Sequence, residues 1–395
     1  MYNQITWKPW DECATQIKTE DIFYYPTYGR YLEEFHPGEV FVHPRGITLH
    51  PSFAQDFATT FMEGCPLFLN KSYAKELGFE DQVVSPLMLL SIALSLGVQN
   101  ESEKAIAHLG YYNVCFPKIT YVGETMRSIT RVLDRKEKAQ GEPGIVHVQT
   151  LGLNTKKEVL VRYERKIMIP SRPETEKKTE SHKTSQKVDF PWFQSTDITL
   201  PERCCQVLDG QMLGDWTTGK TYFEDFKAGQ IIIHHNGRTI TDEHIPWTYR
   251  LGNTHPLHYD SIYTQALSAP MGGSPVVYGG LVFSWIAGLA SRDTTENMIW
   301  DLGYTQGYHT QPVRSGDTLY AISRILKKEE SILSHAGIIT IQLIGLKNIS
   351  SSQAIQKFGK ELFIKENNKK TLGLEKITNK IFEIERKVLI RKLLK

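Results

Sequence analysis

The chain lacks an excess of charge of either sign. Across 395 residues, 46 Lys and Arg face 44 Asp and Glu, a net charge of +2. No strong field draws it to nucleic acid or to an anionic membrane. Long apolar runs are also missing. The two longest, residues 86–98 and 276–290, are broken by Ser or Gly and fall short of the ~20 residues that a membrane span needs. Residues 1–20 show no basic stretch followed by an apolar one, so no secretory leader is expected and the cytoplasm is the expected compartment. Cysteine is scarce: Cys13, Cys65, Cys115, Cys204 and Cys205, with no C-x-x-C pair. That excludes a disulfide scaffold and the usual structural zinc patterns. What is present is ordinary for a globular chain, 40% apolar and 23% charged residues, and the length suggests two or three domains.

Residues 171–189 (SRPETEKKTESHKTSQKVD) hold almost no large apolar side chain and read as an exposed linker. The flanking halves repeat one another. Tyr31-Leu-Glu-Glu-Phe-His-Pro-Gly38 matches Tyr222-Phe-Glu-Asp-Phe-Lys-Ala-Gly229 at an offset of 191, and His43, Gly46 and Thr48 match His234, Gly237 and Thr239. At an offset of 193, Leu109-Gly110-Tyr111 matches Leu302-Gly303-Tyr304, Gly123 matches Gly316, Arg131 matches Arg324, and Gly144 matches Gly337. A register kept over more than 100 residues marks two copies of one fold. The expected organisation is a first unit over 1–170, the linker 171–189, a second unit over 190–365, and a basic tail over 366–395.

Each copy runs in the same order. A short helical segment (51–63; 242–252, N-capped by Thr241) precedes an apolar helix (86–98; 280–291). Alternating segments then read as strands: 128–133, 145–151 and Val159–Ile169 in the first copy, and 319–326, 338–346 and 356–364 in the second. One helix apolar on nearly all sides plus a run of antiparallel strands predicts an α+β unit, a sheet wrapped around a buried helix. The tail, with Ile381, Val388, Leu389 and Leu393 on one stripe, reads as a basic helix.

Three patterns carry candidate chemistry. Gly214-Asp-Trp-Thr-Thr-Gly219-Lys220-Thr221 fits a phosphate-binding loop, but no apolar strand precedes it and the repeat provides no counterpart. In the second pattern, Asn253-Thr-His255-Pro256-Leu257-His258-Tyr259-Asp260 aligns with Glu63-Gly-Cys65-Pro66-Leu67-Phe68-Leu69-Asn70 at an offset of 190. The Pro-Leu turn is shared, whereas His258 faces Phe68. An imidazole kept in one copy alone is better explained by chemistry than by packing. Metal binding by His255, His258 and Asp260 is the weaker alternative, because Pro256 interrupts the spacing. The third pattern is Tyr278-Gly279-Gly280 at the start of the second apolar helix. Backbone N–H groups at a helix start can stabilise a developing oxyanion.

These residues, with Pro312-Val-Arg314-Ser-Gly316-Asp-Thr-Leu319, resemble the MaoC-like (R)-specific enoyl-CoA hydratase family, whose motif is D-x-N-P-x-H-x-D followed by an H-G-M helix start. The whole chain more narrowly resembles that family's double-hot-dog branch, the mesaconyl-CoA hydratases or β-methylmalyl-CoA dehydratases. The resemblance implies a double hot-dog fold and reversible hydration of a short branched acyl-CoA thioester, without metal or cofactor. It casts His258 as the catalytic histidine and Gly279 as the oxyanion donor. Asn253 stands where single-domain members carry a catalytic aspartate, and His255 where they carry asparagine. Tyr278 replaces the histidine before the glycine. His255, Tyr278, Gly280, Phe68 and Arg314 are expected substrate contacts, Phe68 by shaping the acyl pocket and Arg314 by meeting an anionic group. The expected partner is the CoA thioester, in an internal pseudo-dimer open to further association. Two other readings remain: turnover of other enoyl chains, or an acyl-CoA-binding scaffold that has lost its base at Asn253.

Overall fold

The computed structural model describes residues 26–137, 139, 141–174, 193, 197–205, 213, 216–218 and 220–393. Cys13, both glycines of the Gly214–Thr221 pattern and most of the linker lie outside these residues.

The first copy contains β1 (Val40–Val42), β2 (Ile47–Thr48), α1 (Pro51–Thr60), α2 (Lys71–Glu76), α3 (Pro86–Gly97), β3 (Ala107–Cys115), β4 (Thr125–Lys136), β5 (Gly144–Leu153) and β6 (Val159–Ile169). The second contains β7 (Ile231–Ile233), β8 (Arg238–Thr239), α4 (His244–Arg250), α5 (Ser261–Gln265), α6 (Gly279–Thr294), β9 (Met298–His309), β10 (Thr318–Glu330), β11 (Ala336–Lys347), α7 (Ser351–Phe358), α8 (Glu366–Lys369) and β12 (Lys380–Arg391). One continuous sheet runs in the order β1-β4-β5-β6-β3-β9-β12-β11-β10-β7. It is symmetric about the β3–β9 seam, where Tyr111 pairs with Gly307 and Val114 with Tyr304. The internal repeat is thus a structural two-fold, with α3 and α6 held inside.

Both helices are buried because they offer no polar face. All twelve residues of α3 are buried, each of its Leu, Ile and Met side chains contributing about 1.5–3 kcal/mol. The two helices approach closely. A Cβ on Gly280 would come within 2.9 Å of Ser91 Oγ, so a larger residue there would push the helices apart.

Two sequence-based expectations fail together. Residues 356–364 are not a strand: they form the end of α7 and a 3-10 turn, Gly359–Phe363. The tail is not a helix: Lys380–Arg391 is a strand between β9 and β11, in the position that β6 holds in the first copy. The physical cause is an insertion. β5 and β6 are joined by residues 154–158, whereas α7 and α8 separate β11 from β12. The repeat offset therefore jumps from 193 to 221, matching Arg165 to Arg386. The charges that made the tail look like a surface helix are paired inside the sheet: Arg386 with Asp301 at 2.8 Å, and Lys380 with Glu383 at 2.9 Å. The second unit therefore extends to Arg391. The expected N-cap also shifts. The residue before α4 is Glu243, and the Thr241 carbonyl instead accepts from His244 Nδ1.

Candidate active site

A cavity of about 420 Å³ lies where the two copies meet. The second copy contributes Asn253, His255, His258, Tyr278 and Gly279. The first contributes the end of α3 and the strands β3 and β6, through Leu94, Val98, Ala107, His108, Tyr111 and Arg165. Neither half makes the site alone.

His258 ends a 3-10 turn, Pro256–His258, opened by Pro256, whose fixed φ suits the first position of the turn. Its Nδ1 donates to the Val276 carbonyl at 2.8 Å. That bond fixes the tautomer and leaves Nε2 with a free lone pair. Burial, reinforced by the neighbouring His255, holds the imidazole pKa down to about 3, so the ring is neutral at physiological pH.

His255 is differently engaged. Nδ1 accepts from Leu257 N at 3.2 Å, and Nε2 donates to the Ala105 carbonyl at 3.2 Å. Both nitrogens are spent, so the ring positions the loop against the first copy rather than offering a base. Asp260 caps α5, accepting from Ile262 and Tyr263 N–H. The three groups weighed as metal ligands thus each have a structural partner, and among the described residues no cluster of His, Cys, Asp or Glu has metal-binding geometry.

Asn253 is 2% exposed, and its Oδ1 accepts from His255 N at 2.9 Å. Since the N–H can only donate, the oxygen orientation is fixed. The Nδ2 hydrogens are what Asn253 has left to offer the cavity it lines. It is a donor there, not a base.

Gly279 opens α6, a helix of 16 residues. The N–H groups at the start have no acceptor one turn back and carry the positive end of the helix dipole. A Cβ at Gly279 would stand 2.7 Å from His309 Nε2, so the glycine lets the helix start and this second imidazole share one wall. Tyr278, just before it, donates its hydroxyl to the Ser91 carbonyl at 3.1 Å, and burial raises its pKa. Its ring lies 5.4 Å from that of His258.

Three expected contacts are not where they were placed. Phe68 is 1% exposed, within the main core, and does not line the cavity. It occupies the position of His258 in the other copy, where Trp300, the repeat partner of the cavity-lining Ala107, is fully buried and donates to the Phe116 carbonyl. Arg314 donates to the carbonyls of Pro270 and Gly272 at 3.0 and 2.9 Å. It braces the loop carrying Met271, which lines the cavity, and its own guanidinium is consumed by backbone. Gly280 faces α3 rather than the cavity. Among the described residues of the phosphate-loop pattern, Thr218 N and Oγ1 both donate to the buried Glu296 carboxylate, and a three-residue 3-10 turn, Phe223–Asp225, follows where such a loop would lead into a helix.

The sequence reading did not single out His108, Tyr111, Arg165 or His309 as site residues, and all four line the cavity. Comparing the copies at the 193 offset flags two of them, pairing His108 with Asp301 and His309 with Phe116, and it also pairs the cavity-lining Ala107 with Trp300; Tyr111 and Arg165 match Tyr304 and Arg386 and carry no such signal.

Comparison with known proteins decides the lineage. The family model for mesaconyl-CoA hydratase matches residues 18–352. The chain belongs to the mesaconyl-CoA hydratase family. The matched region stops before β12, the strand between β9 and β11 in the second half of the sheet. Among similar proteins is a β-methylmalyl-CoA dehydratase of Chloroflexus aurantiacus, 27% identical over 302 residues, 76% of this chain and 83% of that one. A mesaconyl-CoA hydratase of Cereibacter sphaeroides is 26% identical over 325 residues, covering 81% and 90%. In fold, this family member is similar to a MaoC domain protein of Chloroflexus aurantiacus, with TM-score 0.76 and 23% identity over 92% of this chain and 98% of that one. It is also similar to a double-hotdog protein of Mycobacterium tuberculosis, with TM-score 0.68 and 16% identity over 91% and 98%. The fold is therefore α+β, a double hot-dog. No helix among the described residues is long and apolar enough to cross a membrane.

Proposed function

We propose that this chain reversibly hydrates the double bond of a short branched enoyl-CoA of the mesaconyl type. The observation that carries this reading is the shared cavity, which holds a neutral imidazole with its Nε2 lone pair free, a helix start with unused N–H groups, and a buried amide donor. Family membership supports it. A volume of about 420 Å³ suits an acyl group and its thioester and leaves most of the CoA outside.

In the hydration direction, the Gly279 N–H polarises the thioester oxygen and draws electron density from the double bond. The Asn253 amide holds the water by donating to its oxygen. His258 Nε2 takes a proton from that water as the oxygen bonds to the β-carbon. The negative charge passes to the thioester enolate, which Gly279 stabilises. The Nε2–H then returns the proton to the α-carbon, restoring the neutral ring. Dehydration is the reverse. With asparagine at 253 there is no second acid, so one imidazole serves both proton transfers and addition takes place on one face. A positioned acid–base group of this kind contributes on the order of 10²–10⁴ in rate.

The test is to incubate purified protein with mesaconyl-CoA and crotonyl-CoA and follow loss of the conjugated thioester absorbance. Turnover of at least one is expected. Binding without turnover on a panel of enoyl-CoAs would replace this reading with that of an acyl-CoA-binding protein.

A further inference from the structure

The cavity leaves most of the CoA outside, so the arm that joins the acyl group to the nucleotide has to cross a mouth. Among the lining residues, Ile106 of the first copy and Pro270 of the second are exposed, and Met271 beside them is half-buried. Pro270 and Met271 belong to the loop 266–275, which joins α5 to the stretch leading into α6.

The two copies differ in this loop. Asn70, the N-cap of α2, matches Asp260, the N-cap of α5, at an offset of 190. Beyond the loop, Val84 N donates to the Thr120 carbonyl and Val277 N to the Val313 carbonyl, equivalent bonds at an offset of 193. The second loop is therefore three residues longer. In the first copy, the shorter loop buries Phe79 in the main core, and the chain at Arg203 and Cys204 packs on it: a Cβ on Gly78 would stand 2.8 Å from Arg203 C and Cys204 N. In the second, Ser268, Ala269, Pro270, Gly273 and Ser274 are exposed.

The residue that meets each loop differs too. Tyr121 and Arg314 stand in equivalent turns, each donating its own N–H at 3.0 Å to a carboxylate three residues on, Glu124 or Asp317. The Tyr121 hydroxyl accepts one bond from its loop, from Glu80 N at 3.2 Å. Arg314 instead spreads its guanidinium over three carbonyls, those of Pro270 at 3.0 Å, Gly272 at 2.9 Å and Ser274. The planar fork fixes direction as well as distance, and it holds the backbone on both sides of Met271.

We propose that Arg314 is a positioning residue for substrate binding: it pins the longer loop so that Met271 is presented, already ordered, to the arm of an acyl-CoA crossing the mouth. This rests on the acyl-CoA reading above and adds a residue to it. The bond that orients His258 lies outside the clasp, because Val276, whose carbonyl it uses, is held by its own N–H on the Leu257 carbonyl at 3.0 Å. Loosening the loop therefore weakens binding more than it slows chemistry. Each free side chain that binding must order costs about 2–10-fold in affinity.

The experiment measures the Kd of butyryl-CoA, a saturated and unreactive thioester, by calorimetry for wild type, Arg314→Met, Met271→Ala and the double variant. Each single change should weaken binding by about 10-fold. The double variant should be no weaker than the worse single one, because Arg314 acts through Met271. On an enoyl-CoA that the wild type hydrates, Arg314→Met should raise KM while kcat stays within about threefold, and Arg314→Lys, which restores one donor, should recover part of the loss. Unchanged affinity in folded Arg314→Met, additive losses in the double variant, or a fall in kcat at unchanged KM overturns the proposal. If Arg314→Met does not fold, unchanged affinity in Met271→Ala overturns it alone. The Kd is independent of turnover. Coupled losses of affinity without hydration of any enoyl-CoA would sink the hydratase reading and leave this one standing. Hydration by the wild type with Kd unmoved in both single variants would do the opposite.

Discussion

Gly279 is the residue whose smallest change should cost most. A Cβ there would lie 2.7 Å from Nε2, 3.1 Å from Cε1 and 3.2 Å from Cδ2 of His309, whereas unstrained contacts lie at about 3.5–4.0 Å. The imidazole cannot simply step aside. Its Nε2 shares a hydrogen bond with the Tyr111 hydroxyl at 3.1 Å, and its ring centre lies 4.8 Å from that of Phe382. Gly279→Ala must therefore move either the ring or the start of α6. Overpacking of this kind costs about 1–3 kcal/mol in stability, which a domain pair of this size survives. The same shift displaces the N–H proposed to face the thioester oxygen. Loss of one such donor costs about 10²–10³ in kcat, and a misplacement near 1 Å costs about 10². Turnover of the preferred enoyl-CoA should therefore fall by about 10–10³-fold, while the circular dichroism spectrum is kept. Adding His309→Ala reopens the space, so the double variant should regain part of the loss, and a double-mutant cycle should show coupling. Wild-type turnover in Gly279→Ala, or strict additivity with His309→Ala, would refute the steric and electrostatic reasoning together.

Two further outcomes follow from the asymmetry and from the buried rings. Ala107→Trp copies Trp300 of the filled half, whose indole donates to the Phe116 carbonyl at 3.1 Å; activity should drop more than about 100-fold as the cavity fills, with Tm little changed, and near-normal turnover would show that the volume beside Ala107 is not used. Burial holds His258 at about 3 and His309 at about 4, and lowers His43, His108 and His255 as well, so between those values and 6.5 the unfolded chain binds protons that the folded chain refuses. The stabilisation from each ring is complete above about pH 6.5 and is lost as pH falls, on the order of 2–3 kcal/mol each for His258 and His309 by pH 4.5. Tm should drop steeply over that range, and kcat/KM should show no ionisation near 6.5; a flat Tm from pH 7 to 4.5 would contradict the burial.

Much of this was readable from residues alone, and the exceptions have physical causes. The Pro-Leu turn before His258 and the glycine pair at 279–280 stood out because local turn and helix-start chemistry is written in adjacent residues. The strand β12 did not, because Lys380, Glu383 and Arg386 look like solvent-facing charges until their partners, brought from distant segments, are seen. Strand preference is decided by such neighbours more than by the residue itself. Phe68 was correctly aligned with His258, but alignment assigns it to the other, two-fold-related place, so its difference describes a filled half and not a pocket wall. Arg314 was chosen for its charge, and the carbonyls of its own loop already consume it. The first copy's contribution, from Ala107 to Arg165, lies on strands that face the opposite unit, a relation visible only once β3 and β9 are joined.

The most direct measurement is kcat for His258→Ala on an enoyl-CoA that the wild type hydrates, with thioester affinity and Tm measured on the same preparation. A loss of about 10²–10⁴-fold with affinity and fold retained is the predicted result. An alanine variant that turns over as fast as the wild type would contradict the account.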